Sequence, residues 1–398
     1  MTAVRCAAVA LIAAVLAAQK PSPPRSPVEP VWALLAEGKR AEATALLRSL
    51  IGRNPQNAEA RLMLGSLLME DGNRDESLAQ LKEAVRLQPR SAAAHHALGE
   101  AYQTFGDPGS ARPELERAVD LDPSLSAAQV SLGALLLEAG QGKPALPHLD
   151  AALRVLGAKP ESAYARYLRA KVYTEEGQTE KALADLERSV ALRADFAEAW
   201  SDLGEARKSM GDDAGALEAL RRAVALSPED AVARTRLGLR LLDAGEAREA
   251  AAHLEEAVRR DPSNQSALNA LQRALRMDGQ NDRADAVKRQ LAAVLQARDR
   301  ADQNQVAALD LNNQGAALEK SGDLRGAAAK YAAALELNPG HAGIRTNLGV
   351  ALLKLGDWDR GLAELREALR RDPSNETLRR ALEDAESQYR QHFGRPPK

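Results

Sequence analysis

Histidine is the first side chain to test for chemistry, and the chain has six: His95, His96, His148, His253, His341 and His392. Only His95 and His96 are adjacent. A protein metal centre needs three or four ligands converging on one ion. Neighbours on a helix point in different directions, so this pair does not converge, and no further ligands stand at a metal-binding spacing. The two read as surface or groove histidines. The one cysteine, Cys6, lies in an apolar N-terminal run. The rest of the chain therefore has no disulfide, thiol nucleophile or cysteine metal site. No glycine-rich phosphate loop, HExxH or GxSxG occurs. Carboxylates are abundant, but they follow the capping and solvent positions of a repeat rather than a paired acid and base. The expectation is a non-enzymatic chain with no catalytic residue, no cofactor and no metal.

What is regularly spaced is glycine. Gly38, Gly72, Gly106, Gly140, Gly177, Gly211, Gly245, Gly279, Gly322 and Gly356 are mostly 34 residues apart, with steps of 37 after Gly140 and 43 after Gly279. Seven residues before most of them stands another small residue, namely Gly65, Gly99, Gly133, Ala170, Gly204, Gly238, Gly315 or Gly349. Five residues after comes alanine, serine or glycine, and most periods close on a proline: Pro55, Pro89, Pro123, Pro228, Pro262, Pro339 or Pro373. A turn glycine ends one helix cheaply in a left-handed conformation, and Asn73, Asp107, Asp212, Asp323 or Asp357 after it can cap the next. Small residues allow close helix approach, and the proline stops the second helix. Each period predicts an antiparallel helix pair.

LGEAYQTFGDPGSARPELERAVDLDP (98–123), LGEARKSMGDDAGALEALRRAVALSP (203–228) and LGVALLKLGDWDRGLAELREALRRDP (348–373) carry the full pattern. It resembles the tetratricopeptide repeat, over roughly residues 28–392. The resemblance implies an all-α, right-handed α-solenoid of about ten helix-turn-helix units, whose first helices line a concave groove. Full units are expected near Ala58, Ala92, Ser126, Ala163, Ala197, Ala231, Gln265, Ala308 and Ala342. The first unit is truncated by Pro30. Pro113 and Pro147 predict a late start or small kink in their second helices. Residues 376–393 read as a polar capping helix, with Leu378, Leu382 and Ala385 on one face and Glu383 where a small residue would stand.

The 43-residue step leaves nine residues in surplus between Gly279 and Gly322. No proline or glycine occurs from Asn281 to Gln314, and strong helix formers dominate. One long helix from Asp282 to Lys320 is expected, its middle (296–305) exposed; the alternative is a loop there. This divides the chain into an N-terminal block (30–298), a helical spacer (299–307), a C-terminal pair (308–375) and the capping helix.

The chain's ends and composition limit its surroundings. Residues 1–19 carry Arg5, an apolar run from Cys6 to Ala18 and small residues at its close, as a secretory signal peptide does. An uncleaved anchor is the alternative; a cleaved chain keeps no membrane span. A proline-rich spacer (20–29) follows. The expectation is export to the periplasm or outside the cell. Net charge is −2 with both signs interspersed, which gives nucleic-acid binding no electrostatic support.

The groove is then the functional surface. Its expected lining is Leu62, Met69, His96, Val130, Leu137, Tyr164, Tyr167, Lys171, Glu205, Leu239 and Leu242, several of them apolar where a solvated face would be polar. Tyr164 and Tyr167 stand out, three residues apart on one helix face and outside the positions the repeat buries; they either bind a partner or pack near Leu137. Some tetratricopeptide domains clamp a C-terminal carboxylate with a lysine and asparagine four apart. The matching pairs here are Leu62/Ser66, His96/Glu100, Tyr167/Lys171 and Ser201/Glu205, so that clamp is absent. An asparagine ladder is also missing, with only Asn313 and Asn347 in a shared register. Two roles follow as expectations: a scaffold holding a protein or peptide partner, or a structural module that self-associates.

Overall fold

The computed structural model describes residues 27–372 and 375–397. Residues 1–26, which hold the expected signal peptide and most of the proline-rich spacer, and Pro373, Ser374 and Lys398 lie outside them. The described chain is helical, without strands. It forms two compact units, divided between Gln280 and Asn281. The long helix thus belongs whole to the second unit, and the sequence-based boundary at 298 moves back to its start.

The first unit stacks antiparallel pairs: α1 (Glu29–Ala36) with α2 (Arg40–Arg53), α3 (Ala58–Glu70) with α4 (Arg74–Leu87), α5 (Ala92–Thr104) with α6 (Pro108–Leu121), and α7 (Ser126–Glu138) with α8 (Gly142–Leu156). It continues with α9 (Ser162–Glu175) and α10 (Thr179–Leu192), α11 (Ala197–Ser209) and α12 (Asp213–Leu226), α13 (Ala231–Asp243) and α14 (Ala247–Arg260), and ends on α15 (Gln265–Met277). Pro30 sits in the first turn of the short α1, where its missing N–H is harmless.

All ten turn glycines have φ between +70° and +88°. No Cβ-bearing residue takes that conformation cheaply, which explains why glycine recurs at this place. The small residue seven positions earlier has a different cause. A Cβ at Gly65, Gly99, Gly133, Gly204, Gly238 or Gly349 would lie 2.5–2.9 Å from a leucine sixteen residues on. Those leucines (Leu81, Leu115, Leu149, Leu220, Leu254 and Leu365) are 0–1% exposed and plug the pair from the second helix. Caps fix the helix starts: Asn57, Ser91, Asp230 and Asn264 accept from backbone N–H groups three residues on in first helices, and Asn73, Asp107 and Asp212 do so in second helices.

Pro113 and Pro147 do not delay their helices. Both α6 and α8 begin two residues after the turn glycine, in the common register. The N–H each proline lacks would have bonded a first-turn carbonyl, of Gly109 or Lys143, and both residues are exposed to water.

The second unit opens with α16 (Asn281–Lys320), one uninterrupted helix of 40 residues and, at about 1.5 Å per residue, some 60 Å long. Its C-terminal part pairs with α17 (Leu324–Leu337), where Tyr331 rather than leucine plugs against Gly315 and donates to Glu319 at 2.9 Å. A further pair follows, α18 (Ala342–Lys354) with α19 (Trp358–Arg371). The closing helix α20 (Glu376–Phe393) buries Leu378, Leu382, Ala385 and Tyr389 and leaves Glu383 exposed. Tyr389 donates to Asp359 of α19 at 3.0 Å.

Candidate functional site

First helices of successive pairs pack closely on one another from α3 to α15, with one exception, while second helices meet through long side chains such as Arg48 and Glu76. Across that row, side chains 35 residues apart meet. His96 Nε2 lies 3.1 Å from Ser131 Oγ, Gln103 donates to Glu138 at 3.0 Å, and Arg236 donates to Ser201 at 2.8 Å. The same step joins Asn347 to Asn312 and Lys354 to Glu319 in the second unit. The period is 34, while these contacts span 35 residues. Asn347 donates to Asn312, one residue before the Asn313 that shares its register.

This interlocking changes the expected lining. Met69, His96, Val130, Leu137 and Leu242 are only 3–8% exposed, so they offer a partner almost no surface. Leu62, Tyr164, Tyr167, Glu205 and Leu239 are half-buried, and Lys171 is exposed. The α7 helix, apolar on every face, is buried almost all round, which removes Val130 and Leu137 from the accessible set.

His95 and His96 are not surface groups either. His95 Nδ1 is 2.6 Å from Glu114 and its Nε2 3.1 Å from the carbonyl of Pro89. That arrangement recurs. In five further units the fourth residue likewise reaches back six residues to a loop carbonyl: Arg61 to Pro55, Gln129 to Pro123, Trp200 to Ala194, Arg234 to Pro228 and Arg345 to Pro339. Most also reach 19 residues forward to the second helix, as His95 to Glu114, Gln129 to His148 and Arg345 to Glu364 do. These side chains staple each pair to its entry loop. Sequence reasoning missed them because the residue type changes while the donor function persists.

His96, Ser131 and Glu100 have the residue types of a hydrolytic triad but not its geometry. Ser131 Oγ and Glu100 Oε1 both approach the same ring nitrogen, Nε2, at 3.1 and 3.3 Å, and Ser131 itself donates to Glu100. A base must take the serine proton on one nitrogen while the acid orients it through the other. Burial pushes the Glu100 carboxyl up, but facing His96 and the Ser131 hydroxyl outweigh it and hold the pKa below its ordinary value. The cluster is a polar lock between α5 and α7. Among the described residues no group of His, Cys, Asp and Glu could hold a metal ion.

The exception to close first-helix packing is α9 against α11. Aromatic rings fill that seam. Tyr167 and Phe196 have centroids 4.8 Å apart, and Tyr164 lies 6.3 Å from each of them. Arg193 stacks 3.5 Å over Phe196, and the Lys171 ammonium stands 5.8 Å from the Tyr167 ring. Both tyrosines also pack against the cluster containing Val130 and Leu137, so the packing alternative for them holds, while each keeps one side accessible. Toward the next pair, Arg236 bonds Asp202 at 2.7 Å. Glu205 Oε1 and Arg240 Nε, again 35 apart, are buried without a hydrogen-bond partner.

Burial, with Glu138 nearby, pushes the Tyr164 phenol up to about 12, and burial with Asp202 pushes Tyr167 up as well. In the unfolded chain tyrosine ionises near pH 10, so the folded state keeps a proton the unfolded one has lost. The linked stability is full below about pH 10 and disappears as pH rises through about 12. Phenolate absorbance against pH should show a late-ionising fraction that Tyr164→Phe reduces by one tyrosine. A single titration near pH 10 for every tyrosine would contradict this burial.

Family profiles described as tetratricopeptide repeat match residues 34–101, 96–154, 197–230, 235–294 and 312–376, and one described as TPR repeat matches 170–211. The chain belongs to the tetratricopeptide-repeat family. Tetratricopeptide proteins are in general non-enzymatic scaffolds for protein–protein interaction. Among solved tetratricopeptide-like structures, Pseudomonas aeruginosa PilF is 22% identical, covering 55% of this chain and 97% of its own, with a TM-score of 0.50. PilW, described as a widely conserved type IV pilus biogenesis factor, is 17% identical over 54% of this chain and 98% of its own (TM-score 0.48). YrrB, described as a TPR protein with an unusual peptide-binding site, is 23% identical over 47% and 95% (TM-score 0.39). The likeness to PilF is one of fold. No curated protein matches the sequence. Among the described residues no helix is long and apolar enough to cross a membrane.

Proposed function

We propose that the chain is an exported tetratricopeptide scaffold that holds a protein or peptide partner at the α9–α11 seam of its first unit. The observation carrying this is the pair Tyr164 and Tyr167, backed by Phe196 yet partly exposed, beside the exposed side chain of Lys171. Rigid aromatic faces next to a charge are the usual anchors of protein recognition, because they contribute large contact area with little ordering entropy. Export rests on the leader sequence 1–19 and periplasmic or secreted surroundings follow from it.

Comparative capture from an envelope or secreted fraction tests the site. A partner held by the wild type should be lost about tenfold or more with Tyr164→Ala/Tyr167→Ala, and several-fold with the exposed Lys171→Glu, which leaves the packing alone. A partner retained undiminished by both variants would place the binding surface elsewhere. Processing of the leader is read from the mass of the exported chain.

A further inference from the structure

The middle of α16 carries an exposed seam, and we propose that a second copy of the chain packs on it, helix against helix and antiparallel. Leu295, Val306 and Leu309 are 41%, 68% and 39% exposed, and Val306 is the most exposed large hydrophobic side chain among the described residues. At about 100° per residue, Leu295, Arg298, Asp302, Val306 and Leu309 fall within an arc of about 80° on one face. An isolated solvated helix gains nothing from apolar groups lined up this way.

Read backwards, the order apolar, basic, acidic, apolar exchanges its two charges, so an antiparallel copy sets each charge against its opposite. Place a two-fold axis between Arg300 and Ala301. Leu295 then lies level with Val306 of the second copy, and Leu309 level with Ala292. Arg298 falls within one residue, about 1.5 Å, of Asp302 of the second copy, twice over by symmetry. A parallel arrangement would instead set Arg298 on Arg298 and Asp302 on Asp302, so charge selects the antiparallel one. The segment 296–305 holds two arginines and two aspartates and adds no net repulsion. Within one chain, Arg298 and Asp302 make only a loose contact at 4.0 Å, both about two-thirds exposed, and are available to the second copy. A two-helix seam of this length buries on the order of 1,000 Å² in total, the lower end for a specific interface, so the dimer is a weak, micromolar one.

This inference is independent of the groove reading. Sedimentation equilibrium of the full chain, from about 1 to 200 µM, should show a concentration-dependent monomer–dimer exchange. Val306→Asp and Leu295→Asp should each weaken it by about tenfold or more, with helicity by circular dichroism unchanged because both sites are exposed. Arg298→Asp and Asp302→Arg should each weaken it, and the double variant should return to within about threefold of wild type, because both contacts reform with signs exchanged. A chain monomeric throughout, or a dimer indifferent to Val306→Asp and to the charge reversals, would overturn the proposal.

Discussion

Asp185→Ala is expected to destabilise the first unit by about 3 kcal/mol, the lower end of what breaking a buried ion pair costs. Asp185 is 4% exposed. It accepts from Arg169 Nε at 2.7 Å and Nη2 at 2.9 Å, and from Arg166 Nη1 at 3.3 Å. The carboxylate is the largest influence holding the Arg169 guanidinium above its ordinary range. Without it, two neighbouring guanidinium groups of α9, only 19% and 21% exposed, lose their shared counter-charge on α10; Arg169 keeps only the half-exposed Asp150, and Arg166 Nε already lacks a partner. Their residual exposure is the reason for choosing the low end. Asp150 makes a similar 2.7 Å bond to Arg169 but is 49% exposed, so Asp150→Ala should cost less than about 1 kcal/mol. Urea midpoints of the two variants decide the matter; equal losses would mean that burial is not what makes Asp185 matter.

Gly238→Ala should lower stability by about 2 kcal/mol, although alanine is intrinsically the better helix former by about 1 kcal/mol. The added Cβ would sit 2.5, 2.7 and 3.0 Å from three atoms of Leu254, which is fully buried. Ordinary carbon contacts lie near 3.5–4.0 Å, so about an ångström of movement is demanded from a packed side chain. The sign should reverse when the plug is removed. Leu254→Ala alone costs about 2–5 kcal/mol, but in its presence Gly238→Ala should stabilise, by up to about 1 kcal/mol. A four-protein cycle of urea midpoints measures this; a stabilising Gly238→Ala in both backgrounds would show that the contact does not limit the fold. The repeat admits alanine once, at Ala170 against Leu186, in the pair that carries the three-residue insertion before α9.

These two residues mark where the sequence was readable and where it was not. Gly238 announces itself, since the close approach of Leu254 leaves only the smallest residue types acceptable, and such positions recur by identity. Helix starts were legible for the same reason and fall within one residue of expectation, as at Ala58, Ala92 and Ala231. The fourth-position staple was not legible, because a loop carbonyl accepts equally from Arg61, His95, Gln129 or Trp200. Groove burial was also hidden: whether Val130 or Leu137 is accessible depends on how closely neighbouring first helices approach, which the side chain's own identity does not encode. The wedge at α9–α11 left a trace, in two tyrosines at positions the repeat gives no reason to fill with aromatics. The two prolines misled because the carbonyls they leave unpaired face water.

The stapled entry loops have a consequence for how the first unit carries a load. Most pairs are tied to their own entry loop and pack chiefly on their neighbours, so tension along the chain passes through the pairs in series. Small tilts at successive seams add up, while no single staple has to break. Such a stack yields elastically, as a spring does, and the loosest coil lies between α9 and α11, where rings rather than backbone bridge the seam.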